Sequence, residues 1–118
     1  MILTTGSKLE ALLAGAVAAN QPQVHVTYAP WNAQGVIAVP ATYRVALNDT
    51  TPVTILAAPV ANPNIEILGV DVYNKDTASV TVTVQVDDGT TDWLWIKYAL
   101  ATLKTLTWRK YTGWLVSP

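Results

Sequence analysis

The chain contains no cysteine, no phenylalanine and few charged residues. Seven Lys and Arg and eight Asp and Glu make up 13% of its 118 residues, about half of the usual share in soluble domains. Without cysteine, neither disulfides nor thiolate metal sites are possible. The nearly balanced charge includes no basic run, so we expect no nucleic-acid partner bound through its phosphates.

Long uninterrupted apolar runs are also absent. No segment approaches the ~18–20 apolar residues that a membrane helix needs, so no membrane partner is expected. Leu9–Ala19 has the composition of a short signal-peptide core. However, Glu10 interrupts it and the residues before Lys8 carry no basic charge, which argues against a cleaved leader.

Apolar residues are abundant, at 51% of the chain. A domain of this size buries roughly two-thirds of its unfolded surface, so we expect a single domain over residues 1–118, with residues 1–6 as a short N-terminal arm. With so little charge, part of the surface is expected to contact a partner. An ordinary surface rich in Thr and Ala is the alternative.

The stretch Ser79–Tyr98 has the clearest pattern in the chain. Four valines alternate with polar residues over Val80–Asp87, which places the valines on one face of a β-strand. Asp88 and Gly89 form a turn signal, because glycine adopts positive φ without steric cost. Beyond the turn, a second strand is predicted with Leu94, Ile96, Tyr98 and Leu100 on one side and Trp93, Trp95 and Lys97 on the other.

Most of the remaining chain consists of short strand patterns separated by turn formers. A change of phase around Gly69 predicts a β-bulge. Strands at this spacing predict an all-β fold, an antiparallel β-sandwich that is jelly-roll-like, with about eight strands and little or no helix. Besides the hairpin, the predicted strands are Val24–Tyr28, an edge strand at Val36–Val39, Ala41–Leu47, Val53–Ala58, Ile65–Asn74, Lys104–Trp108 and Trp114–Val116.

The segment Lys8–Ala19 has a helical pattern when it is considered locally. Ser7 and Glu10 have the spacing of a capping box, and the Ala- and Leu-rich residues that follow have high helix propensity. Gly15 and Val17 weaken this helix prediction.

No catalytic, cofactor or metal site is predicted, and the chain is not expected to be an enzyme. Asp87, Asp88 and Asp92 have oxygens for calcium, but their spacing matches no complete calcium loop and Asp-Asp-Gly is an ordinary turn signal. His25, the only histidine, lies mid-strand on a polar face without a nucleophile-elbow pattern. Glu10, Glu66, Asp71 and Asp92 could in principle supply an acid–base pair, but nothing in their spacing makes them converge. Glu66 is also too far along its strand from Asp71 for those two to act as a pair.

Five tryptophans stand out in a chain without phenylalanine. Both sides of the strand at Trp93–Leu100 carry large apolar groups, which suits a central sandwich strand or an interface. Trp rings are favoured at interfaces because they bury a large area while the N–H stays satisfied. Core packing, a subunit interface and sugar stacking remain open for them. The candidate interface residues are Trp31, Trp93, Trp95 and His25.

Several segments resemble a group of small virion proteins of tailed bacteriophages. Those proteins open with Ser/Lys-Leu-Glu, Gly-Ala-Val and Asn-Gln before a strand that ends in Tyr. The resemblance covers most of the chain but not residues 29–50. The segments that carry it are Ser7–Tyr28, Val53–Pro59, Val72–Ala78, Val80–Gly89 and Trp93–Leu100.

The resemblance implies that Leu9–Val17 is a strand paired with Val24–Tyr28, in place of the local helix. It implies a cement or decoration protein that acts as a homotrimer and binds the major capsid protein. The expected location is the capsid surface of the virion, after synthesis in the host cytoplasm. The alternatives are a head–tail, tail or fibre component and, from another class, a carbohydrate-binding module that uses Trp stacking.

Overall fold

The computed structural model describes residues 1–31, 39–60 and 64–118. Ten strands occur in these ranges, rather than about eight. They are β1 (Ile2–Leu3), β2 (Lys8–Leu13), β3 (Gln23–Pro30), β4 (Ala41–Ala46), β5 (Val53–Leu56), β6 (Ile65–Tyr73), β7 (Val80–Asp87), β8 (Asp92–Leu100), β9 (Thr105–Arg109) and β10 (Gly113–Ser117).

The strands form two antiparallel sheets, which confirms the predicted β-sandwich. The first sheet has the order β10-β9-β6-β3-β4, with β1 also paired to β6, and the second has the order β5-β2-β7-β8. In the part of the chain that the structure describes, no helix is long and apolar enough to cross a membrane.

The core lies between the two sheets, and alternating residues of both line it. The valine face of β7 is buried as predicted: Val82 and Val84 are fully buried and Val80 nearly so. Opposite them lie inward residues of β3 and β6, including Val24, Val26, Val70 and Val72, all fully buried.

The segment after Ser7 is a strand, so the local helix prediction is wrong. Leu9, Ala11 and Leu13 are buried on one side of β2, which is the period-two pattern of a strand. Strand pairing on both sides outweighs the helix propensity of these residues. The pairing with Val24–Tyr28 is also wrong, because β2 pairs with β5 and β7 while β3 belongs to the other sheet.

The predicted bulge in β6 is confirmed. Thr27 pairs with Gly69 and Tyr28 with Ile67, so Leu68 is the extra residue between them. The bulge reverses the alternation, which keeps the apolar residues before and after it on the core side.

The turn between β6 and β7 contains buried polar side chains that bond to two other loops. The sequence patterns did not reveal this burial. Asn74 is fully buried, and its side chain donates to the backbone carbonyls of Ala78 and Leu100. Asp76 is 2% exposed. Its carboxylate accepts hydrogen bonds of 2.8–3.0 Å from the backbone N–H groups of residues 18, 19 and 20. The turn therefore ties the β2–β3 and β8–β9 loops to the end of β6.

Residues 1–6, predicted as an arm, contribute β1. Ile2 and Leu3 pair with β6, and Leu3 is buried in the core. The predicted edge strand at Val36–Val39 lies outside the described residues except for Val39.

Candidate functional site

The second half of the β7–β8 hairpin contains a bulge at Trp95. Val84 pairs with Ile96 and Gln85 with Leu94, so Trp95 has no partner of its own on β7. A bulge shifts the alternation of the strand, which turns Leu94 outward beside Gln85. The prediction that Leu94 shares a side with Ile96 is therefore wrong, and Leu94 is 64% exposed.

The same bulge directs Trp95 into the core. Its ring centroid lies 4.9 Å from that of Trp108 and 5.1 Å from that of Trp114, edge-on in both cases. Such aromatic pairs contribute about 0.5–1.5 kcal/mol beyond the area they bury. Because β8 belongs to one sheet and β9 and β10 to the other, Trp95 links the two sheets. Core packing is one of the alternatives left open for the tryptophans, and Trp95 is partly buried against the core.

Trp93 also faces the core side but lies at the open end of the sandwich. It is opposite Val86 and is 60% exposed. Its indole N–H donates to Oδ2 of Asp88 at 2.9 Å. Together with bonds from the N–H groups of Thr90 and Thr91, this bond lowers the pKa of Asp88 well below its usual value. Trp93 is thus held at the surface with much of its ring accessible.

Three carboxylates, here called the acidic corner, meet where β2, β7 and β8 lie side by side. Glu10, Asp87 and Asp92 place carboxylate oxygens within 4.8 Å of one another. Lys8 Nζ lies 3.8 Å from Glu10 and 3.6 Å from Asp87, and Gln85 donates to Glu10 at 2.6 Å. One lysine faces three carboxylates, so the corner keeps a net negative charge.

The acidic corner differs from the calcium group considered above. Asp87 and Asp92 belong to it, but the carboxylate of Asp88 binds its own turn, where Gly89 has a φ of 95°. Glu10 and Asp92 were expected not to converge, but the structure brings them together because β2 pairs with β7. No sequence spacing indicates that pairing.

His25 lies in the middle of β3 on the outer face of the first sheet, where the sequence predicted it. Its cross-strand neighbours are Arg44 on β4 and Asp71 on β6. Asp71 in turn accepts hydrogen bonds from the hydroxyl of Thr107 at 3.0 Å and from both terminal nitrogens of Arg109 at 3.0 and 3.2 Å. A polar row therefore crosses four strands. An interface role for His25 stays a prediction.

The two carboxylates of β6 bind different cations. Glu66 is buried and contacts Lys110, and this hydrogen bond raises the pKa of Lys110. Asp71 binds Arg109, which lies across Gly69. A Cβ at Gly69 would come within 2.9 Å of Arg109 Nη1, so the glycine makes room for this ion pair. Both carboxylates are engaged in ion pairs.

Trp31 follows β3 and is half-buried. Its backbone N–H donates to the carbonyl of Asn64 at 2.8 Å. Its indole nitrogen, like that of Trp114, is buried and has no acceptor among the described residues. Of the three candidate tryptophans, only Trp93 is mostly exposed.

Exposed apolar side chains occur on β8 and β10, the two strands that end their sheets; Leu94 and Leu115 face outward by register, and Trp93, Tyr98 and Val116 face inward. The contact of Trp95 with Trp114 places these two strands at the same side of the sandwich. We call this surface the β8–β10 edge. Its exposed members, at 39–64% exposure, are Trp93, Leu94, Tyr98, Leu115 and Val116.

The β8–β10 edge and the acidic corner share strand β8, so apolar and charged groups are combined on one side of the molecule. Apolar groups beside charged ones are typical of protein-recognition surfaces. Comparison of the chain with protein-family models, with curated proteins and with solved structures found no match.

Proposed function

We propose that the protein is a structural component of a tailed-bacteriophage virion, a decoration protein that binds and bridges subunits of the major capsid protein. The observation that carries the proposal is the exposed apolar β8–β10 edge on a chain in which only 13% of residues are charged. Surfaces of this kind are typical of protein–protein contacts. The motif resemblance points in the same direction.

The resembling segments fall on structural positions. They cover β2, β3 and β5, the turn at Asn74–Asp76 and both strands of the hairpin at Val80–Leu100. Residues at these positions form the packing and the turns of the fold. The resemblance therefore supports a fold and a structural role in common with the small virion proteins. It carries no catalytic residues.

A decoration protein stabilises a shell by opposing separation of its subunits. Each copy would contact several capsid subunits, and homo-oligomers, which the resemblance implies are trimers, would engage several such contacts at once. Linked contacts bind far more tightly than any one of them does alone. The proposed location is the outer surface of the capsid, after synthesis in the host cytoplasm.

The test is to measure the protein in purified virions and its copy number relative to the major capsid protein. We expect a fixed ratio close to that of the capsid subunits, and we expect that adding the purified protein to particles that lack it raises their heat resistance. Absence from virions would contradict the proposal. A few copies per particle would instead favour a head–tail, tail or fibre component.

A carbohydrate-binding module is the second candidate, and exposed Trp93 is the observation that favours it. The hydrogen bond to Asp88 fixes its ring, and sugars stack on rings held in this way. The Trp93→Ala variant should then lose binding on a glycan array, whereas Tyr43→Ala, a similarly exposed aromatic change on the opposite edge, should not. Absence of glycan binding by the unmodified protein would exclude this candidate.

A further inference from the structure

Three side chains that face inward by strand register are nonetheless exposed along one side of the sandwich. Trp93, Tyr98 and Val116 lie opposite Val86, Val82 and Leu106 of the neighbouring strands, yet they are 60%, 40% and 39% exposed. The two sheets therefore leave their apolar interior partly uncovered where β8 and β10 end. Exposed apolar surfaces of this kind are typical of sites that bind another molecule.

Strand β8 carries opposite charges at two positions along its length. Asp92 begins the strand and belongs to the acidic corner, whose single lysine leaves it net negative. Lys97 is exposed, five positions further along, and forms no ion pair within the described residues. The strand is therefore negative at its start and positive beyond its middle, and such a strand is complementary to a second copy placed head to tail.

The exposed apolar area would supply about half of one partner's share of a standard contact between copies. Because an aromatic side chain has about 150–250 Å² of surface, the five exposed residues of the β8–β10 edge present on the order of 400 Å². A standard interface buries about 800 Å² per partner. The strand edges and the charged residues around the patch can supply the rest.

We propose that the β8–β10 edge is the surface through which copies of this chain assemble, with Asp92 of one copy next to Lys97 of the following copy. The bulge at Trp95 interrupts the straight edge of β8, so the copies meet through side chains rather than through a continuous strand ladder. Two copies related by a two-fold axis would make this contact twice, and three copies in a head-to-tail ring would make it three times. This inference rests on the homo-oligomer part of the proposed function and is independent of capsid binding.

The test is a charge exchange, with the molar mass in solution measured by light scattering over a dilution series. Asp92→Lys alone and Lys97→Asp alone should each weaken self-association by about tenfold or more, because each places like charges together. The double variant Asp92→Lys/Lys97→Asp restores opposite charges, so its self-association should be close to that of the unmodified protein. Failure of the double variant to recover would overturn the pairing.

A pair of aromatic variants tests the apolar part of the surface. Tyr98→Ser should raise the dissociation constant of the oligomer, whereas Tyr43→Ser, which is similarly exposed on the opposite edge strand β4, should leave it unchanged. Circular dichroism checks that each variant is folded.

The outcomes separate this inference from the proposed function. An unmodified protein that is monomeric over the whole series overturns the inference, while binding to capsids is measured independently. An oligomer that no β8–β10 variant alters shows that copies assemble elsewhere, and the proposed function then stands without this surface.

Discussion

At the scale of single residues, Trp95 and Trp93 have similar sequence contexts and different surroundings. They are two positions apart, and both face the core side. Trp95 has two aromatic neighbours from the other sheet, whereas Trp93, at the open end of the sandwich, has a hydrogen bond at the surface. Their positions along the strand therefore distinguish the ring that packs between the sheets from the ring that is mostly exposed.

We expect Trp95→Ala to lower the free energy of unfolding by about 3 kcal/mol, because it removes a large ring between the two sheets and leaves a cavity. Trp93→Ala is the matched control and should cost less than about 1 kcal/mol, since most of its ring is exposed. Urea unfolding followed by far-ultraviolet circular dichroism measures both. Equal losses would contradict the core position of Trp95.

At the scale of elements, the turn after β6 does more than reverse the chain. Asn74 and Asp76 lie in a short run of turn-forming residues between β6 and β7. Burial of the two side chains and their bonds to distant loops arise from the packing of β2–β3 and β8–β9 around that turn. Because those partners are remote in sequence, local patterns do not reveal them.

The carboxylate of Asp76 should make stability depend on pH. Backbone hydrogen bonds, that of residue 20 foremost, lower its pKa to about 2, compared with about 3.9 in an unfolded chain. A lowered folded pKa adds stability above the unfolded value, and this stability is lost as pH falls through the folded value. We therefore expect the loss between about pH 4 and pH 2.

The measurement compares urea midpoints of the unmodified protein and the Asp76→Asn variant over this pH range. The variant should be less stable at neutral pH, and the difference should shrink as the pH falls. Asp49→Asn is the control, because that carboxylate accepts a local bond from Thr51. A difference that stays constant with pH would show that the charge of Asp76 does not stabilise the fold.

At the scale of the whole molecule, both sheets have central strands that are paired on two sides and end strands that are paired on one. Among the described residues, β3, β6, β9, β2 and β7 have hydrogen-bonded strands on both sides, whereas β4, β5, β8 and β10 each end a sheet. Central strands open only with most of the fold, while edge strands open locally. The molecule should therefore be least mobile in its middle and most accessible at its two sides.

Amide hydrogen exchange measured by NMR should show this difference. We expect the slowest exchange in β3, β6, β2 and β7 and faster exchange at the amides of β4 that face away from β3. Amide exchange at the β8–β10 edge should become slower as the protein concentration rises if copies cover this surface. Protection of β4 equal to that of β6 would contradict the strand order.

The sequence by itself determined the fold class, the valine face of β7, the hairpin turn at Asp88-Gly89 and the bulge in β6. Each depends on side-chain alternation or on a turn residue, which are properties of neighbouring positions. Trp93, Trp95 and His25 were named as candidate interface residues from composition and pattern, and this stays a prediction; the surroundings of the two tryptophans could not be named in this way.

Only the tertiary structure decided the strand order, the pairing of β2 with β5 and β7, the entry of Trp95 into the core and the gathering of Glu10 with Asp87 and Asp92. All of these follow from contacts between residues far apart in the chain, whose energies depend on how the two sheets pack as a whole. For β2, that packing outweighed a local preference for helix.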